Sequence, residues 1–161
     1  MTEQYFEELG RTYMAHFCRR LAHLIIEQGS EILAERGLTT PSTALSTIFY
    51  LDQNQSTTVA SLASALDVSH QMATQRINGL VKLGLVTRSS SDEDKRAKFV
   101  VLTPMGKNEA KQLYPFVTEM TQVFEDFEAE LDCELTNIIR KAERSLLQKS
   151  LKQRLEELSG N

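Results

Sequence analysis

Glycine and proline are scarce in this chain, 7 and 3 among 161 residues, which leaves little of it for turns and long irregular connections and predicts a largely helical protein. No run of about 18 apolar residues occurs, so the sequence offers no helical membrane span. Cysteine is limited to Cys18 and Cys133, which fit neither a CxxC pair nor zinc spacing. The three histidines, His16, His23 and His70, do not pair with carboxylates at metal-ligand spacing. His16 and Cys18 stand two apart, on different faces of a helix. Neither a metal nor a cofactor is expected. Glycine-rich phosphate loops, GxSxG and HExxH are also missing, and no paired carboxylates mark a cleft, so an enzyme is not expected. The start, Met1-Thr2-Glu3-Gln4, lacks the basic-then-apolar order of a secretory signal, which predicts a cytoplasmic protein.

What is present is 41% hydrophobic and 25% charged, with a net charge of −4, within the size of one domain. The charge is uneven. Residues 1–55 carry 4 basic and 7 acidic groups, residues 107–161 carry 8 and 11, and residues 56–106 between them carry 6 and 4. A locally positive segment between acidic arms suits a chain that touches phosphate through one module.

Phe6, Leu9, Tyr13, Phe17, Leu21, Leu24 and Ile25 recur at steps of three and four, the period of an amphipathic helix over residues 3–36 that Gly37 ends. Thr40-Pro41 reads as an N-cap with proline at the first helical position, opening a second helix through Ile48 and Phe49. A short strand is expected at Ser56–Thr58. Thr58 can cap a third helix with the stripe Val59, Leu62, Ala63 and Leu66. Asp67-Val68 makes the turn, Ser69 caps a fourth helix, and Gly84 ends it. Leu85–Arg88 and Ala97–Thr103 read as strands around a polar loop at Ser89–Arg96. Thr103-Pro104 opens a long helix that Pro115 should kink. After a break near Leu131–Glu134, one last helix is predicted through Leu135, Ile138, Leu146, Leu155 and Leu158.

The fourth helix, about 69–83, carries the functional signal. Ala73, Ile77 and Leu80 share one face, while Gln71, Thr74, Gln75, Asn78 and Lys82 form the other and Arg76 lies on the flank. Gln and Asn offer a donor and an acceptor together, the pairing that suits adenine in the major groove, and Thr74 suits a base or a thymine methyl. Ser69, His70 and Gln71 lie at the end that meets bases or phosphates in helix-turn-helix docking. The hairpin at about 88–98 adds Arg88, Lys95, Arg96 and Lys98, and an arginine there can enter a narrow minor groove. Asp94 can orient Arg96 through a bidentate pair. The competing readings are a plain solvated face and a charged loop.

Leu62-Ala63, Val68-Ser69, Leu80, Gly84-Leu85-Val86 with Arg88, Asp94-Lys95-Arg96, and Leu102-Thr103 with Gly106 follow one pattern in order and spacing. In this the chain resembles MarR-family transcription regulators over nearly its whole length. The Asp94-x-Arg96 wing feeding Leu102-Thr103-x-x-Gly106 is the most diagnostic part. The resemblance implies a winged helix-turn-helix at 37–106 and a helical dimerisation region at 1–36 and 107–161. Ser69, Gln71, Thr74, Gln75 and Arg76 would then face the major groove or its phosphates, and Arg96 the minor groove. His70-Gln71-Met72-Ala73-Thr74-Gln75 departs from the family by being neutral apart from histidine, which predicts more hydrogen-bond readout and less phosphate attraction.

The expected fold is mainly α with a small β-hairpin wing. The expected function is a homodimeric repressor bound to double-stranded DNA at a pseudo-palindromic operator. Phe6, Leu9, Tyr13, Phe124, Phe127, Ile138, Leu146 and Leu155 are the expected dimer contacts, because a monomer would leave a large apolar patch exposed. The resemblance further implies release by a small molecule or by cysteine oxidation. Tyr5, Tyr13, Tyr50 and Tyr114 can line a pocket for an aromatic effector or can be core residues. Cys18, beside Arg19, Arg20 and His16, is either a thiol sensor or a packing residue. A winged module that binds protein is the rival from another class, and it predicts weak, salt-insensitive DNA binding.

Overall fold

The computed structural model describes residues 10–90 and 98–160. A 3-10 turn, Gly10–Tyr13, leads into α1, Met14–Glu35, and a second 3-10 turn, Ser42–Ala44, leads into α2, Leu45–Asn54. There follow β1 at Thr57–Thr58, α3 at Val59–Ala65, α4 at His70–Lys82, β2 at Val86–Ser90 and β3 at Lys98–Leu102. Three helices close the chain: α5 at Pro104–Glu130, α6 at Leu135–Gln148 and α7 at Leu151–Ser159. The chain parts into two compact units at the Tyr114–Pro115 bond, inside α5. The helix continues through Pro115, whose missing N–H leaves the Lys111 carbonyl without its usual donor.

In the first unit Leu33, Ile48, Leu51, Leu62, Ile77, Leu80, Leu85, Val100 and Leu113 are all buried. They come from α1, α2, α3, α4, β3 and α5 and from the residue before β2, so one core is shared by every layer. The strands form an antiparallel sheet in the order β1-β3-β2. Val86 faces Leu102 and Arg88 faces Val100 across β2 and β3. Period-two alternation then buries Val86 and leaves Thr87 exposed. The strands extend beyond the expected hairpin loop, because Ser89 and Ser90 still pair with Phe99 and Lys98.

Local signals placed most of the helix ends. Thr58 accepts a hydrogen bond from the Ser61 amide at 3.1 Å and Ser69 one from the Met72 amide at 3.1 Å. Each satisfies an amide that the first turn of a helix would otherwise leave unpaired. The turn between α3 and α4 closes with Asp67 at φ 49 and with the Val68 amide donating to the Ala63 carbonyl. This is a Schellman end in which Asp takes the left-handed position usually given to glycine.

Two further expectations are corrected. Thr40-Pro41 does not open α2: Pro41 is extended, with ψ 139, and the 3-10 turn intervenes. The Thr40 hydroxyl is engaged elsewhere, donating to the Glu109 carboxylate at 2.7 Å. The Thr40 amide (2.5 Å) and the Thr39 amide (2.8 Å) and hydroxyl (2.9 Å) donate to the same carboxylate. Four donors to one buried carboxylate outweigh a single cap bond, since charge-assisted bonds are about twice as strong as neutral ones.

The single last helix is in fact two, α6 and α7. Ser150 caps α7 in a reciprocal box with Gln153, which favours a new helix start over continuation. In this second unit Glu128, on α5, accepts from the Thr136 amide at 2.7 Å and so caps α6 from outside its own helix. The Thr136 hydroxyl and amide hold the Glu128 carboxyl below its ordinary range, against a smaller opposing effect of burial.

Candidate nucleic-acid interface

Helix α4 is divided cleanly. Ala73, Ile77 and Leu80 are buried, while His70, Gln71, Gln75, Asn78 and Lys82 are exposed, and Thr74 and Arg76 are half-buried. Ser69 stands at the helix start, its oxygen accepting from Met72 and its proton left to donate outward. The sequence face is therefore a structural face, presented by a helix whose other side is locked in the core.

Three contacts fix the far end of α4 against the sheet and α5. Gly84, at φ 72, takes the left-handed turn after the helix, and the Leu85 amide donates back to the Leu80 carbonyl at 3.0 Å. Thr103 donates its hydroxyl to the Gly84 carbonyl at 2.6 Å and accepts at 3.0 Å from the Gly106 amide. It thus caps α5 while clamping the end of α4, with Pro104 at the first helical position as expected. Gly106 is required by space: a Cβ there would lie 2.0 Å from the Leu85 carbonyl oxygen.

Arg88 does not simply project from the wing. Its Nη2 donates to Asn78 Oδ1 at 2.5 Å, tying β2 to the exposed face of α4. Arg76 lies along its own helix, Nη2 3.5 Å from Met72 Sδ. Met72, 45% exposed on this helix, is an apolar surface that reasoning from polar pattern passed over. The signal available for it was its place between His70, Gln71 and Ala73 at the helix start.

Asp94, Lys95 and Arg96 lie outside the described residues, as do the side chains of Lys98 and Ser90. Phe6, Leu9 and Tyr5 lie outside them too. Of the other expected dimer contacts, Tyr13 and Phe127 are half-buried, and Phe124, Ile138, Leu146 and Leu155 are exposed, at 37%, 51%, 48% and 64%. Cys18 is exposed on α1, so it is not a packing residue within one chain. Tyr114 packs on Phe49 with ring centroids 4.9 Å apart and donates to Asp52 at 3.0 Å. Burial first, then the Asp52 hydrogen bond and charge, raise the Tyr114 phenol above its ordinary value. Tyr50 is half-buried. Among the described residues no three His, Cys, Asp or Glu side chains come together as metal ligands. No helix among them is long and apolar enough to cross a membrane.

Known proteins resemble this arrangement. The model of the MarR family matches residues 33–97, from the end of α1 into the wing. No curated protein matches the chain. Among solved structures, that of the S. aureus MepR–DNA complex is 21% identical, with a TM-score of 0.62, covering 85% of this chain and 97% of that one. The heme sensor protein PefR, in complex with heme and carbon monoxide, is 18% identical with a TM-score of 0.61, covering 86% and 96%. Reduced AbfR bound to DNA is 20% identical with a TM-score of 0.55, covering 81% and 96%. At these identities the likeness is one of fold. The matched family model, the buried and exposed faces of α4 and the sheet beside it agree: residues 33–97 are similar to the MarR family, and this part of the chain folds as a winged helix-turn-helix.

Proposed function

We propose that this protein is a homodimeric, cytoplasmic transcription repressor that binds a pseudo-palindromic DNA operator. Helix α4 would lie in the major groove and the wing, residues 88–98, against the minor groove. The observation that carries the reading is the polar face of α4, with Gln71, Gln75 and Asn78 exposed over a buried Ala73, Ile77 and Leu80. Such a face, led by an N-terminal Ser69, has the donors and acceptors that base edges require. MepR and AbfR, whose fold this chain shares, have structures with DNA, which supports the same use here. Homodimerisation is supported by the apolar load of the terminal helices, where Leu147, Leu151, Leu155 and Leu158 are 82%, 72%, 64% and 78% exposed. Release from DNA by a small molecule rests on the family resemblance, and loss of the DNA complex on adding aromatic small molecules checks it.

The test is a titration of the purified protein against DNA from upstream of its own gene and against random DNA, at two salt concentrations. The expected result is preferential binding as a dimer, weakening steeply with salt as phosphate-bound counterions are displaced. Binding no better than to random DNA, and insensitive to salt, would instead favour a winged module that binds protein.

A further inference from the structure

We propose that Asn78 and Arg88 together form a donor-only unit that selects guanine and rejects adenine; the inference rests on the DNA-binding reading above. Asn78 stands seven residues after Gln71 on α4, so both share the exposed face. By sequence alone an Asn on that face is an adenine reader, because its amide offers one donor and one acceptor side by side. The structure engages one lone pair of that acceptor and places a positive charge against it. Arg88 Nη2 donates to Asn78 Oδ1 at 2.5 Å. The orientation of the amide is fixed by chemistry: a guanidinium has only donors, so the atom facing it must be the oxygen.

Adenine recognition needs Oδ1 to accept from the base's N6 amino group. An incoming amino hydrogen would meet Oδ1 with the positive guanidinium already against it, and like polarity opposes the approach. With Oδ1 engaged, the groups left to meet a base are donors: the Asn78 Nδ2 amino group and the remaining guanidinium N–H groups of Arg88. In the major groove guanine is the base that presents two acceptors, N7 and O6, and nothing else. Both side chains are exposed and lie outside the core, so the pair is free to meet a groove. Arg88 acts in this through Asn78, as the residue that turns its amide into a donor.

The experiment is selection from a pool of random duplexes, followed by sequencing, with the full-length chain and four variants. The wild type is expected to fix a guanine at one position of each half-site. Asn78→Ala should lose that preference by about tenfold, at one position only. Asn78→Asp, which can still accept from Arg88 but has no donor, should lose the guanine as well. Arg88→Met frees Oδ1 and should move the selected base toward adenine, whereas Arg88→Lys, able to donate to Oδ1, should keep guanine. Thermal unfolding of each variant checks that the fold is intact, and a merely structural role for Arg88 would not move the selected base. Identical base selection by the wild type and Arg88→Met overturns this inference alone, as does a uniform loss of affinity on all DNA in Asn78→Ala. A wild type that selects no sequence overturns the DNA-binding reading together with it.

Discussion

The two units of this chain solve the burial of apolar surface in opposite ways. In the first, ending at Tyr114, Leu62, Ile77, Leu80 and Leu113 are fully buried. In the second, from Pro115, no residue of α6 or α7 is buried, although Ile138, Ile139, Leu146, Leu147, Leu151, Leu155 and Leu158 lie on them. Seven large aliphatic side chains in two short helices are far more than scattered surface exposure explains. The first unit has a core made by its own chain; the second leaves its apolar side chains exposed, as the proposed dimer interface would require. Stability of the first should then be independent of protein concentration, and that of the second should depend on it.

The largest expected effect breaks this contrast from the second side. Replacing Leu151, Leu155 and Leu158 together by Ser removes three side chains that would each contribute about 1.5–3 kcal/mol on burial. Sedimentation should show the dimer shifted to monomer; an unchanged dimer would mean that this face is not the interface. Next is Ile77→Ala, from the first core, which should cost about 2–5 kcal/mol in denaturant unfolding. Its loss should be the same at every protein concentration, and a concentration-dependent loss would erase the distinction between the units. Smaller again is Ser69→Ala, expected to cost about 1 kcal/mol through the lost cap bond to Met72. Denaturant unfolding reads that loss directly, and no loss would mean that the start of α4 is held by other contacts.

The smallest effect is one of pH. The Thr136 hydroxyl and amide depress the Glu128 carboxyl, so its contribution is present above the ordinary carboxylate value and is lost as pH falls through the depressed one. The stability advantage of the wild type over Glu128→Gln should therefore shrink on acidification below about pH 4.3. An advantage that stays constant from neutral to acid pH would count against the cap.

The parts legible from sequence are those set within a turn or two of chain. Thr58, Ser69 and Thr103 were readable as caps because each hydroxyl meets an amide three residues on. Gly84 was readable as a stop, and the exposed face of α4 followed from its period. The Ser150–Gln153 box was equally local and equally visible, yet the apolar period running through Leu146 and Leu155 masked it. Thr40 misled because its signal was outbid by Glu109, which is 69 residues away along the chain.

The sequence by itself determined the helical class, the order of elements from α2 to α5 and which side of α4 is polar. These follow from periodicity and capping, which act between residues close along the chain. Tertiary structure alone decided that Asn78 Oδ1 accepts from Arg88, that Gly106 lies under the Leu85 carbonyl, and that Glu109 holds Thr39 and Thr40. A hydrogen bond is made by atoms about 3 Å apart, and folding alone decides which distant residues come that close.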